Sequence, residues 1–267
     1  MTDDAKTMQA AQYLAQRYAA RESLDIMRQD FAPTTIEDAY KVQDAFLGIL
    51  GQGKGALGGY KIAYTSDEIR RRTGVSSPCA GGMFAATIQD SPATFRGADY
   101  VRLAIECEVA VRLGTDVPAS QAPYSRASIA DYIEFLAVAF EMVDFRGAAA
   151  GTGKDAAAIA GICTNISNAG AVFGPAIRDW RRLDLAASPG VMVINGTVVG
   201  EGYGRDVMGH PFEALLWLVN MLAQRGKGLT QGMIVMTGSI VATKFVNPGD
   251  TVGLSVDGLG EAQLSVI

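Results

Sequence analysis

Histidine is nearly absent from this chain of 267 residues, which carries a single one, His210. One imidazole excludes every site that needs two, including HExxH zinc proteases and histidine-rich metal clusters, and forces any Ser-His-Asp triad through His210. Cysteine is almost as scarce: Cys79, Cys107 and Cys163 stand far apart with no CxxC spacing. An odd, dispersed set argues against a disulfide framework or a thiolate zinc site and fits a reducing compartment. Basic residues are in deficit, 23 against 28 acidic ones, for a formal net charge of −5. With no long basic run there is no electrostatic footprint for nucleic acid, so the expected partner is a small molecule. No stretch of about 18 apolar residues is free of charge, and the N-terminus MTDDAKTMQA is acidic where a signal peptide would be basic and then apolar. The expectation is a cytoplasmic protein with no membrane partner.

What is present supports a folded body. Hydrophobic residues make up 49% of the chain, and this length can bury a core without disulfide or metal staples. From about Asp3 to Ser23 the apolar residues Met8, Tyr13, Leu14 and Tyr18 fall at helical spacing. Thr34 with Glu37 reads as a capping box for a second helix, whose stripe Ala39, Val42, Ala45, Phe46 and Ile49 ends at Gly51. Two glycine-rich stretches, GQGKGALGGYK (51–61) and Gly151-Thr152-Gly153-Lys154-Asp155, look like phosphate loops but lack the Ser or Thr that follows the Walker lysine, and are read as ordinary loops. After Gly59 the texture becomes short β-rich runs and glycine turns. Asn195-Gly196 and Asp257-Gly258 signal hairpins, and Pro211 opens a helix whose stripe Phe212, Leu215, Leu216, Val219 and Leu222 runs to Gly226. This predicts one α+β domain overall, with a helical N-terminal arm over 1–55 packed on a β-rich body over 56–267.

The run VRLAIECEVAVRL (101–113) alternates cleanly. Val101, Leu103, Ile105, Cys107, Val109, Val111 and Leu113 share one face, while Arg102, Ala104, Glu106, Glu108, Ala110 and Arg112 share the other. Two carboxylates at i and i+2 lie roughly 6–7 Å apart on one side of a strand. A solvent-facing strand whose glutamates pair with Arg102 and Arg112 accounts for the pattern; so does a divalent-cation site. Glu141 favours the second reading, because it sits inside the apolar run FLAVAFEMVDF, where burial is costly without a compensating cation or hydrogen bonds. Three carboxylates with no clustered imidazole select a hard cation, Mg²⁺ or Mn²⁺. Lys61, after the glycine loop in Tyr60-Lys61-Ile62, is either a snorkelling surface residue or, beside the acids, a group that moves a proton or stabilises an enolate. His210, between Gly209 and Pro211, reads as a helix-start residue more readily than as a catalyst. Thr237 and Ser239 in MTGSIV either present polar groups to a ligand or make a turn.

The segments GYKIAYTS, IECEVAV, AFEMVDFR, NGTVVGEG and GHPFEALLWLVNMLAQRGKGLTQGMIVMTGS come in an order and spacing that resembles the 2-keto-4-pentenoate hydratase and 4-oxalocrotonate decarboxylase branch of the fumarylacetoacetate hydrolase superfamily. The resemblance runs from about Gly59 to Asp250. It implies a mixed β-roll or β-sandwich body, a homo-oligomer, and a Mg²⁺ or Mn²⁺ ion on Glu106, Glu108 and Glu141. It also implies a small 2-oxo or 2-hydroxydienoic acid substrate, and Lys61 matches the family's active-site lysine. The activity expected from it is addition of water to a 2-hydroxy-2,4-dienoate through a metal-stabilised enolate, with decarboxylation of a 2-oxo diacid as the alternative. Carbon–carbon hydrolysis or a non-catalytic binding role ranks lower. Arg146, Thr237 and Ser239 are candidates for holding the substrate's polar ends. Two departures stand out. Where family hydratases usually read G-V-x-x-P-D-F-G, residues 74–81 read GVSSPCAG, so Cys79 takes the place of an acid/base aspartate. Cys163-Thr164-Asn165 stands where relatives commonly read A-D-N, so the substrate is expected to differ from 2-hydroxypentadienoate.

Overall fold

The computed structural model describes residues 2–147 and 152–267. Two helices come first: α1 (Asp3–Ala19), capped by Thr2, and α2 (Ile36–Lys54). The cap of α2 is Thr35 and not Thr34, because the Thr35 hydroxyl is the oxygen that accepts from Asp38 N–H, at 3.1 Å. α2 also runs past Gly51 to a cap at Gly55, whose φ of 81° suits glycine. Neither glycine stretch forms a phosphate loop among its described residues. The first is the end of α2 running into strand β1 (Leu57–Ala63). In the second, Gly151 lies outside the described residues, and 152–155 are bends and turns.

The remaining elements follow in chain order: α3 (Asp67–Thr73), β2 (Cys79–Phe84), β3 (Ile88–Asp90), β4 (Ala93–Phe95), β5 (Leu103–Leu113), α4 (Arg126–Ile129) and β6 (Ile133–Asp144). Then come α5 (Ala156–Cys163), β7 (Asn168–Phe173), β8 (Pro189–Ile194), β9 (Thr197–Tyr203), α6 (Pro211–Gln224), β10 (Ile234–Phe245), β11 (Thr251–Val256) and β12 (Gly260–Val266). The strands form two mixed sheets, a seven-stranded one in the order β2-β1-β10-β5-β6-β7-β3 and a five-stranded one in the order β4-β12-β11-β8-β9. Asn195-Gly196 makes the β8–β9 hairpin and Asp257-Gly258 the β11–β12 hairpin, each with positive φ at its glycine.

The alternation of β5 decides which face does what. Ile105, Cys107, Val109 and Val111 pack into the main core together with Met192, Val252, Leu254 and Leu264 of the smaller sheet. The other face, which carries Glu106 and Glu108, is concave, because the large sheet curls until β2 returns towards β7. Asn165 closes that gap: its side chain accepts from Gly82 N–H at 2.7 Å and donates to Gly82 C=O at 2.8 Å, so one amide pairs both backbone groups of Gly82 on the free edge of β2. Asn165, Ile166 and Ser167 all have φ near +50° (55°, 48° and 56°), three consecutive left-handed residues with no glycine among them. Such conformations cost about 1–3 kcal/mol each and persist where surrounding contacts hold them.

α6 packs on β10. His210 caps it, its Nδ1 accepting from Phe212 N–H at 3.0 Å with Pro211 at the first helical position. Burial, helped by the charge of Arg126, holds the His210 imidazole below its ordinary pKa. The neutral ring is the one that can cap, so the folded protein resists a proton that the unfolded chain accepts, and stability falls as the pH drops below about 6.5. His210→Asn keeps a side-chain acceptor without a titrating ring. Denaturant unfolding at about pH 8 and about pH 5.5 should show wild type losing about 1 kcal/mol relative to that variant at the acid end. Parallel pH curves would refute it.

Candidate active site

Glu106 and Glu141 face each other directly across β5 and β6, and Glu108 follows two residues along β5 on the same face. Oxygens of the three carboxylates lie within 4.8 Å of one another. Glu108 and Glu141 are fully buried, which removes the reading of β5 as a solvent-facing strand. The arginines are engaged elsewhere: Arg102 stacks on Phe245 at 3.7 Å, and Arg112 pairs with Glu134.

Lys61 reaches the same face from β1, in register with Met236 of β10. It is 3% exposed, so it is not a snorkelling surface residue, and its Nζ lies 3.1 Å from Glu141 Oε1. Burial works against its charge, but Glu141, Glu106 and Glu108 outweigh burial and hold the ammonium above its ordinary pKa. Glu108 and Glu141 are both pushed up, first by burial; the neighbouring carboxylates add to this, while Lys61 pulls Glu141 back.

Other contacts come from groups with no visible motif. Asn168 Nδ2 donates to Glu141 Oε1 at 3.1 Å, from the residue directly after the left-handed turn. Gly238 N–H donates to Glu108 Oε2 at 2.7 Å. Gly238 has φ +112°, and a Cβ there would meet Thr65 Oγ1 at 2.4 Å, so conformation and space both demand glycine. Thr243 Oγ1 donates to Glu106 Oε1. These donors leave Glu108 Oε1 and Glu141 Oε2 buried without a partner.

The other sequence candidates fall nearby but face protein groups. Thr237 Oγ1 donates to Val109 C=O at 2.8 Å, and Ser239 Oγ donates to Val241 C=O. Arg146 Nε donates to Asp144 Oδ2 and its Nη1 to Tyr18 C=O, both at 2.8 Å, with the guanidinium stacked on the Tyr18 ring. Cys79, at the start of β2, is 2% exposed. Burial pushes its thiol up to about 12, with Lys61 pulling the other way, so it is neutral at physiological pH.

A family profile described as the C-terminal part of fumarylacetoacetate (FAA) hydrolase matches residues 83–267, which holds the three glutamates, Asn168 and Gly238. The chain belongs to the fumarylacetoacetate hydrolase family. Among curated members of known name, it is 29% identical over 255 residues to 2-keto-4-pentenoate hydratase 1 of Dechloromonas aromatica, covering 95% of this chain and 94% of that one. It is 26% identical over 231 residues to a 4-oxalocrotonate decarboxylase of Pseudomonas putida, covering 86% and 85%. Among solved structures, the 4-oxalocrotonate decarboxylase of Pseudomonas putida G7, complexed with magnesium and adipate, superposes with a TM-score of 0.89 at 24% identity, covering 100% and 99%. That superposition carries the fold.

The cluster of Glu106, Glu108 and Glu141 fits a divalent cation on the evidence of this chain's own atoms. Three carboxylates face one ammonium, every donor is oxygen, and two buried oxygens have no other partner. Glu108→Gln should abolish saturable Mn²⁺ binding, followed by the electron paramagnetic resonance of the free ion, while far-UV circular dichroism stays unchanged. Asn168→Ala should weaken it by about 10- to 100-fold, the usual effect of removing a group that orients a ligand. Wild-type affinity in the Glu108→Gln protein would sink the metal assignment.

Proposed function

We propose that the chain is a divalent-metal-dependent lyase that hydrates a 2-hydroxy-2,4-dienoate, with Mg²⁺ or Mn²⁺ held by Glu106, Glu108 and Glu141. The observation that carries this reading is the pair of unpartnered buried oxygens, Glu108 Oε1 and Glu141 Oε2, on one face with Lys61. The names of the curated relatives agree with it. When bound, the ion supplies Lewis-acid stabilisation of negative charge developing at the 2-oxygen of the acid.

Within that frame the chain's own groups handle protons. Lys61 is fixed by Glu141, so its ammonium is held at one place on the concave face. There it moves a proton between the 2-hydroxyl and the carbon end of the dienol, turning the 2-hydroxydienoate into a 2-oxo-3-enoate. Water then adds at C4 with a proton at C3. Cys79, neutral and two residues from the β2 position opposite Lys61, can give a proton but does not act as a resting base. The 237–239 segment supports the glutamates: Gly238 aims Glu108, while Thr237 ties β10 to β5 and Ser239 ties β10 to itself.

The same charge stabilisation serves loss of CO₂ from a 2-oxo diacid, and the decarboxylase relative keeps that as the second reading. The proposal takes 1–55 as a helical arm on a catalytic body spanning 56–267, in a cytoplasmic homo-oligomer. With Mg²⁺ present, loss of dienol absorbance from 2-hydroxydienoates and CO₂ release from 2-oxo diacids, measured side by side, decide between the two lyases. Lys61→Met should lower turnover by at least about a hundredfold while Mn²⁺ still binds. A near-normal rate would remove Lys61 from the chemistry.

A further inference from the structure

We propose that the cleft beside Cys79 receives the substrate's tail and is built for an uncharged one, so that this chain acts on 2-hydroxydienoates ending in an alkyl or aryl group and discriminates against those ending in a second carboxylate. This rests on the lyase reading above.

The position of the cleft comes from strand register. Lys61 lies opposite Gly81 and Ala63 opposite Cys79 in the antiparallel β1–β2 pair, so Lys61 and Cys79 share the concave face one repeat apart. The residue opposite Lys61 is a glycine over which Asn165 packs, a Cβ there meeting the Asn165 C=O at 2.9 Å, so the next β2 side chain on this face is Cys79. Cys79 then lines a cleft of about 290 Å³. Cys79 is thus the residue that the cleft shares with the Lys61 face, and a tail that reaches its thiol enters that space.

The chemistry of the walls sets what the space accepts. Ile36, Pro78, Trp217 and Met221 give it an apolar lining, with an indole available for a flat or branched group. The one charged side chain among the described lining residues is Asp155, whose carboxylate accepts from Ser76 N–H at 2.7 Å and from Ser76 Oγ at 3.0 Å. No lysine or arginine is among the described lining residues. Arg225 stacks on the Tyr40 ring but is ion-paired to Asp44 at 2.9 Å. A carboxylate tail would lose water, gain no cation and face Asp155, whereas a methyl or phenyl tail gains apolar contact.

Two other cavities among the described residues carry cations, and neither offers a free one to the tail. In the larger, of about 460 Å³, Arg112 is paired with Glu134 at 3.3 Å and shares the lining with Asp90 and Glu261. Lys54 and Arg146 line a space of about 20 Å³, the size of one water. Arg146 is spent on Asp144 and Tyr18 C=O, and Lys54 on the Tyr18 hydroxyl at 2.8 Å.

The test uses the Mg²⁺-loaded enzyme with two substrates of equal length, 2-hydroxyhexa-2,4-dienoate and 2-hydroxyhexa-2,4-dienedioate. It also uses two unreactive ligands, 2-oxohexanoate and 2-oxoadipate, titrated against Trp217 fluorescence with Trp217→Phe as the blank. The expected kcat/KM favours the methyl-ended substrate by about a hundredfold, the scale at which a site rejects a group it leaves unpaired. 2-Oxohexanoate should bind at least about tenfold tighter than 2-oxoadipate, and Gln224→Lys, which brings an ammonium to the rim, should narrow both preferences. Equal or better handling of the diacid, in turnover or in binding, overturns the proposal, as does the absence of any Trp217 response. Selective binding of 2-oxohexanoate with neither dienoate consumed supports the cleft assignment and removes the lyase reading instead.

Discussion

Three carboxylates held on the concave face of one sheet are the constraint on which the rest of this structure depends. Glu108 and Glu141 have no access to water, and each carries an oxygen without a partner. A buried carboxylate costs several kcal/mol unless charge or hydrogen bonds compensate, and one lysine cannot neutralise three acids. The surroundings spread the compensation over different elements: Lys61 from β1, Gly238 from β10, Asn168 from β7 and Thr243 from the far end of β10. The site is therefore a property of the strand order β1-β10-β5-β6-β7, in which β1 and β7 contribute one group each to the glutamates and β10 two.

That arrangement explains what the sequence disclosed and what it hid. Period-two alternation put Glu106 and Glu108 on one face of β5, and the apolar run around Glu141 marked it as buried. Both inferences use only neighbours along the chain. Asn168, Gly238 and Thr243 act on the glutamates across strands, and the β10 contributions depend on register shifts between Met236 and Ser239 and between Val241 and Lys244. No spacing in the chain reports such shifts. The resemblance located Lys61, but its place next to Glu141 follows from β1 pairing in parallel with β10, a non-local event. Smaller errors have local causes. Thr34 and Thr35 are chemically equivalent candidates for a helix cap, and only backbone geometry chooses between them.

Cys79 shows how one side chain sets the charge carried by a site. An aspartate there would add a fourth acid to a crowded face, while a neutral thiol adds none. The thiol also keeps its end of β2 free of charge, in keeping with Ile36 of α2 and Trp217 and Met221 of α6 beside it.

The Asn165 clamp has a consequence of another kind. Most of the large sheet is joined by rows of backbone bonds, which cannot be altered singly, but β2 meets the turn before β7 through one side chain gripping one glycine. The bore of the half-barrel at this seam is thus set by a few residues that lie outside the strands. Exchanges within 163–167 could widen or narrow the chamber while Asn168 keeps its bond to Glu141 and the glutamates of β5 keep their register, which gives a lineage a short route to new bores above an unchanged set of carboxylates.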